Sequence, residues 1–253
     1  MFTFIGGVWV LSNIETILFD KDGTFVDLHY FWGKMTKMRA SAVIKKYSLS
    51  EDDMEKICKI LGYDIQKRKM LSDGITALYS RSRIIEIFTE KLIEIGVNAV
   101  KYEIEKLFDE VSEEFNKNIL DYILPIEDSI EFIRELRSKG AKMGVVTSDS
   151  EESTYLTLKG FGWEDLFDVV VGRESSSETK ESGALTKIAL EKLGANPTTT
   201  LMIGDAPMDA ISAQNAGVEK TILLTTGQVD AETLEDYSPY VLKSLKRLKI
   251  LKY

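Results

Sequence analysis

A single cysteine, Cys58, leaves the chain without the means to form an internal disulfide, which points to a reducing compartment, the cytoplasm. Its own reading is a small apolar residue on a helix face, not a reactive thiol. Positive charge is also short: 32 Lys and Arg against 41 Asp and Glu give a net charge of −9, which argues against a nucleic-acid partner held through its phosphates. No apolar run is long enough to cross a bilayer, so no membrane partner is expected. The apolar stretch Phe2 to Leu11 lacks both a basic leading region and a small-residue cleavage site. It is therefore read as an extra edge strand, or as an overlong translation start, and not as a signal peptide. Internal repeats and low-complexity segments are absent. What remains, 44% hydrophobic and 29% charged over 253 residues, is the composition of an ordinary globular protein of one or two domains.

Within that frame the most informative run is Ile17-Leu18-Phe19 followed by Asp20-Lys21-Asp22-Gly23-Thr24. It reads as a strand delivering two carboxylates to the carboxyl end of a sheet, where open α/β folds collect their ligands. Carboxylates two residues apart can divide the work, one attacking while the other moves a proton. The same residues are also good turn formers, because Asp bonds its own backbone and Gly takes positive φ. The company the run keeps therefore decides its meaning.

From about Tyr30 to Leu120 strand signal is nearly absent, and apolar residues recur at helical spacing: Ile84, Ile85, Phe88, Leu92 and Ile95 in one stripe, Ile104, Leu107, Phe108 and Val111 in another. This predicts an all-helical insertion. Beyond Pro125 helices alternate with short apolar runs. Ile126, Ile130, Ile133 and Leu136 line a helix that Gly140 closes, and strands are predicted at 143–146, 169–171, 201–203 and 221–224. Alternation of this kind signals βαβ units and a parallel sheet.

Three further segments sit at predicted strand or helix ends. Gly144-Val145-Val146-Thr147-Ser148-Asp149-Ser150 runs from a strand into hydroxyl residues ahead of a helix from Glu151, and offers a hydroxyl and free N–H groups suited to a phosphate oxygen. Helix capping explains the same residues equally well. Lys180 lies in a polar loop, Glu174 to Thr179 and beyond, before a helix from about Gly183 to Leu193; alone it reads as solvated. Leu201-Met202-Ile203-Gly204-Asp205-Ala206-Pro207-Met208-Asp209 is another apolar strand ending in acids. Its two aspartates, four apart, are placed for one to meet a hard cation and the other to brace it, and Mg²⁺ favours one or two carboxylates over a full protein cage.

In this order the four segments resemble the motifs of the haloacid dehalogenase superfamily, over about Asn13 to Thr226. The first and fourth are specific; the second and third match by position. The insertion after the first motif resembles the helical cap of the subfamily that includes phosphoglycolate phosphatases, and Asp27 matches an acidic position found there. Many relatives carry Lys-Pro at the third motif where this chain has Lys180-Glu181-Ser182-Gly183, so Lys187 stands as the alternative lysine.

The resemblance implies an α/β protein, a Rossmann-like parallel-sheet core over 1–26 and 121–253 with a helical cap domain over 27–120. It implies a Mg²⁺-dependent phosphatase acting on a small phosphorylated metabolite through an aspartyl phosphate. Asp20 would be the nucleophile and Asp22 the proton shuttle, with Thr147 and Lys180 completing the catalytic set. Gly23, Thr24, Thr147, Ser148 and Lys180 would surround the phosphoryl group. Asp20, Asp22 through its carbonyl, and Asp205 would bind the metal, with Asp209 in support. Relatives that cleave carbon–halogen bonds lack the second aspartate, which favours phosphoryl transfer here. A mutase, a phosphonatase using a cap lysine such as Lys34 or Lys37, and a catalytically silent phospho-ligand-binding module remain as alternatives. A response-regulator-type phospho-acceptor domain would be half as long and lack the insertion. His29, Trp32, Lys34, Arg39 and Lys67-Arg68-Lys69 are the cap candidates for contacting the leaving group; the plainer readings are a surface or hinge histidine and a solvated helix face or turn. 2-Phosphoglycolate is one substrate option among several.

Overall fold

The computed structural model describes residues 1–253 and separates them into two units, Met1–Asp27 with Leu124–Tyr253, and Leu28–Ile123. The first unit opens with strands β1 (Phe2–Gly6), β2 (Trp9–Ile14) and β3 (Thr16–Phe19). The second unit contributes α1 (Leu28–Tyr47), α2 (Met54–Ile60), β4 (Tyr63–Asp64), β5 (Lys69–Met70), α3 (Ile75–Leu78), α4 (Arg81–Glu94) and α5 (Lys101–Lys117). The chain then completes the first unit with α6 (Glu127–Ser138), β6 (Lys142–Val146), α7 (Glu151–Gly160), β7 (Val169–Val171), α8 (Ala184–Leu193) and β8 (Thr200–Gly204). It ends in α9 (Pro207–Asn215), β9 (Lys220–Leu224), α10 (Ala231–Glu235), β10 (Val241–Leu242) and β11 (Lys249–Lys252).

Six strands form a parallel sheet in the order β10-β9-β8-β3-β6-β7. A parallel sheet is covered on both faces, which is why its strands read as unbroken apolar runs. Leu18, Val146, Val171 and Met202 pack with Leu185, Ala189 and Leu190 of α8 and Ala213 of α9. Each large aliphatic side chain buried there contributes roughly 1.5–3 kcal/mol. The chain starts the sheet at β3, adds β6 and β7 on one side, then crosses to β8, β9 and β10 on the other. The order reverses between β3 and β8, the place where open α/β sheets bind their ligands. Phe19 is level with Val145 and Ile203, so β3, β6 and β8 all release their next residues at one edge.

The stretch from Phe2 is not an edge strand of this sheet. It forms the centre of a separate antiparallel sheet, β11-β1-β2, whose third member comes from the far end of the chain. Phe2 and Phe4, two apart and so on one face, are both buried. Phe4 packs on Phe132 of α6 with ring centroids 6.0 Å apart, and Trp9 meets Tyr240 at 4.9 Å.

The second unit is helical, as the spacing predicts. Ile84, Ile85, Phe88 and Leu92 of α4 and Ile104 and Phe108 of α5 join Ala40, Val43 and Ile44 of α1 in one core. One antiparallel pair, β4 with β5, is added, and at two residues a strand it is too short to leave a periodic signal. Its turn carries Lys67 and Arg68, closed by Asp64 Oδ1 accepting from the Lys67 N–H at 2.9 Å. No helix is long and apolar enough to cross a membrane.

Candidate active site

Asp20 is the first residue beyond β3, and its N–H donates to the Ile203 carbonyl of β8 at 2.9 Å. The chain then turns tightly, with the N–H groups of Thr24, Phe25 and Val26 all directed to the Lys21 carbonyl. Gly23 sits in the turn at φ +91, where a Cβ would be strained and would run into the Asp205 carboxylate. Gly227, after β9, approaches that carboxylate from another side with no room for a Cβ, and the Thr226 hydroxyl donates to the Gly23 carbonyl. Asp205 is thus walled by backbone.

Asp209, in the first turn of α9, accepts from the Asp205 and Ala206 N–H groups through Oδ2, both at 3.0 Å. A carboxylate is favoured at a helix N-terminus, where N–H groups are unsatisfied. Its Oδ1 lies 2.6 Å from Lys180 Nζ, which is also 2.5 Å from Asp20 Oδ1. Asn215 at the end of α9 donates to the Glu181 carbonyl at 2.9 Å, so one helix sets both Asp209 and the turn that carries Lys180. Lys180 is buried, whereas Lys187 is exposed on α8.

The carboxylates of Asp20, Asp205 and Asp209 lie within 4.8 Å of one another and are all buried. Three carboxylates against one ammonium leave a formal excess of two negative charges. Burial, reinforced by Asp209 and Asp22 and opposed by Lys180, pushes the Asp20 carboxyl up to about 7. Burial with Asp20 and Asp209 alongside raises Asp205 well above the usual carboxylate range. Lys180 loses by burial but is driven upward by Asp20 and Asp209. Asp205 Oδ2 is buried without a hydrogen-bond partner. Hard oxygen donors, uncompensated negative charge and an unsatisfied carboxylate oxygen fit a divalent cation such as Mg²⁺. Asp209, with both oxygens engaged, fits a bracing role.

A second cluster lies in the same motifs. Lys21 is wholly buried, its Nζ 2.8 Å from Asp22 Oδ1 and 2.9 Å from Asp149 Oδ2. Asp149 Oδ1 accepts from the Ser150 N–H at 2.8 Å, and the Asp149 N–H donates to Thr147 Oγ1 at 3.0 Å. Thr147 itself is fixed by its N–H on the Val171 carbonyl at 3.0 Å. Burial disfavours the Asp149 anion, yet Lys21 and the hydrogen bonds outweigh it and hold that carboxyl below its usual value. Lys21 is raised despite burial by Asp149 and Asp22. Ser148 is exposed, with its hydroxyl 3.8 Å from Met208 Sδ, and Thr24 is wholly buried.

Asp20, Lys180, Asp205 and Asp209 therefore meet in one network, with Gly23 against Asp205, and Asp22 is tied to Thr147 through Lys21 and Asp149. Sequence reasoning missed the part played by Lys21, Asp149, Thr226 and Gly227. The first two were inside quoted motifs, and a lysine between two aspartates was the available signal; the last two follow the end of β9, another strand end at the ligand-binding edge. The cap candidates have partners within their own unit. His29 Nδ1 accepts from the Met70 N–H at 3.1 Å, Arg39 is buried with its guanidinium 4.5 Å from the Phe108 ring centre, and Trp32 meets Phe31 at 5.4 Å. Lys34 lies 5.5 Å over Tyr30 and Lys37 5.6 Å over Tyr63.

Comparison with known proteins agrees with this geometry. The haloacid dehalogenase-like hydrolase family matches residues 17–223. A pyrophosphatase PpaX of Oceanobacillus iheyensis is 25% identical over 235 residues, covering 92% of this chain and 94% of that protein. A phosphoglycolate phosphatase of Aquifex aeolicus is 27% identical over 218 residues, covering 85% and 87% respectively. Among solved structures, one described as a predicted phosphoglycolate phosphatase from Haemophilus somnus superposes with a TM-score of 0.73 at 18% identity, covering 93% of this chain and 96% of that one. A β-phosphoglucomutase from Clostridium difficile gives 0.63 at 19% identity, covering 93% of each, and shares the fold. With its motif residues gathered at the switch point of the sheet, the chain belongs to the haloacid dehalogenase-like hydrolase family, as an enzyme of phosphatase type.

Proposed function

We propose that this phosphatase is Mg²⁺-dependent and hydrolyses a small phosphorylated metabolite through an aspartyl phosphate on Asp20. The observation that carries the reading is the position of Asp20: at the switch point, ion-paired with Lys180 and within carboxylate contact of Asp205, whose Oδ2 has no hydrogen-bond partner. In the first step an Asp20 oxygen bonds to phosphorus as the bond to the leaving oxygen breaks, and Asp22 gives that oxygen a proton. In the second, Asp22 takes a proton from water, the water oxygen bonds to phosphorus, and the acyl–phosphate bond breaks to free phosphate and the Asp20 carboxylate. Thr147, the Ser148 backbone and Lys180 hold the remaining phosphoryl oxygens as charge shifts among them. Gly23 and Thr24 shape the floor of the turn beneath. Asp20, Asp205 and the Asp22 carbonyl would hold Mg²⁺, with Asp209 bracing the site through Lys180 and the Asp205 N–H. Bound there, the cation neutralises the repulsion between an anionic nucleophile and an anionic substrate.

The names of two relatives, a pyrophosphatase and a phosphoglycolate phosphatase, support this substrate class, since pyrophosphate and phosphoglycolate are both small and multiply anionic. Phosphate release from p-nitrophenyl phosphate, pyrophosphate and 2-phosphoglycolate, with Mg²⁺ and with EDTA, tests the reading. Metal-dependent release is expected, and the ranking of the panel names the substrate. Isomerisation of a sugar phosphate without phosphate release would replace hydrolysis by mutase chemistry.

A further inference from the structure

The wholly buried Lys21 has no place in the steps above, and its burial needs a reason. Placing an ammonium in the interior costs several kcal/mol unless partners compensate it, and an apolar residue of similar volume is often at least as stable. Its partners here are specific: Asp22, the proton shuttle of the proposed reaction, and Asp149, two residues beyond Thr147. Asp22 must deliver a proton to the leaving oxygen and later collect one from water, so the same carboxylate oxygen has to face the same place twice. A carboxylate on a two-torsion side chain does not hold its orientation unaided.

The ion pairs supply that constraint. Lys21 Nζ engages Asp22 Oδ1 at 2.8 Å, a contact that restrains rotation of the carboxylate about its own axis. Asp149 fixes Lys21 through Oδ2 while its Oδ1 is held by the Ser150 N–H, and its own N–H donates to Thr147 Oγ1. One connected chain of contacts thus joins the shuttle beyond β3 to the phosphoryl-binding hydroxyl beyond β6. We propose that Lys21 and Asp149 are positioning residues that hold the Asp22 carboxylate in register with Thr147, so that the proton meets the leaving oxygen of the bound phosphate. This rests on the phosphatase reading of the site.

The test is the leaving-group dependence of the first step. p-Nitrophenyl phosphate departs as a stable phenolate and needs little protonation, whereas an alkyl phosphate such as 2-phosphoglycolate departs as an alkoxide unless a proton is supplied. The double variant K21M/D149N removes one charge of each sign and leaves the net charge of the cluster unchanged. It should lose about 100-fold in kcat/KM on 2-phosphoglycolate, the scale of general acid catalysis, and less than about 5-fold on p-nitrophenyl phosphate. Asp149→Asn alone, which keeps the Lys21–Asp22 pair, should shift in the same direction by less and serves where the double variant fails to fold. Equal losses on both esters, or unchanged kcat/KM on both, would overturn the proposal and leave Lys21 a structural ion. A wild-type enzyme that releases phosphate from neither ester would instead remove the phosphatase reading, and the positioning role with it.

Discussion

Asp205 and Asp149 are the same residue type, each buried just beyond a central strand, yet their surroundings push the two carboxyls in opposite directions from the ordinary value. Burial pushes both upward. The difference lies in the ratio of cations to anions around them: Asp205 sits with Asp20 and Asp209 beside one lysine, Lys180, which pairs with those two, while Asp149 and Asp22 both pair directly with Lys21. The first cluster is short of positive charge and suited to receive a cation and an anionic ligand together. The second carries one excess negative charge, half that of the first, with every carboxylate paired to Lys21, and is suited to hold a side chain still. Two buried charge clusters that meet in one turn, Asp20-Lys21-Asp22, are thus specialised for exchange and for fixation.

The comparison can be broken most severely at Lys180. Lys180→Met leaves Asp20 and Asp209 as buried carboxylates without their cation, and should cost about 3–5 kcal/mol in denaturant unfolding. Phosphate release should fall by about 100- to 1,000-fold, the scale of removing a preorganised electrostatic contact.

pH separates the clusters without mutation. The metal-free folded protein keeps the Asp20 proton up to about 7, while the unfolded chain releases it near the ordinary value of 3.8. Between those values the unfolded state ionises first, so stability should fall as pH rises from about 4 to 7. On the proposed reading Mg²⁺ would supply the missing positive charge, so its stabilising effect should be larger at pH 8 than at pH 5, read as the shift in Tm. Asp149 acts in the other sense. Its folded carboxyl lies below the ordinary value, so its contribution is present above that value and lost as pH falls through the folded one.

Asp149→Asn should accordingly cost about 1–3 kcal/mol near neutral pH and flatten the acid limb of the stability profile. The smallest effect is expected at Ser150, whose hydroxyl caps α7 by accepting from the Ser153 N–H at 3.1 Å. Ser150→Ala should cost about 1 kcal/mol and leave the Mg²⁺ response unchanged, which separates the cap from the charge cluster beside it.

How much of this was legible varied with the range of the interaction. Strands such as Val169–Val171 and Thr200–Gly204 were readable because a buried parallel strand is a continuous apolar run bounded by polar residues. The role of Phe2 to Gly6 was not, because its partner Lys249–Lys252 lies at the other end of the chain and no local period encodes that pairing. Lys180 and Lys187 look alike in sequence; burial against Asp20 and Asp209 is what distinguishes them. Lys21 was visible as a residue but not as a buried ion, since its second partner is 128 positions away and is brought to it by the pairing of β3 with β6.

The central claim is that Asp20 is the nucleophile, and the most direct measurement is phosphate release by Asp20→Asn in Mg²⁺ alongside the wild type, with both proteins verified as folded. Loss of at least about 10⁴-fold, as removal of a nucleophile produces, is the predicted result. Turnover within about tenfold of wild type, an effect of under about 1.4 kcal/mol on the barrier, would contradict it.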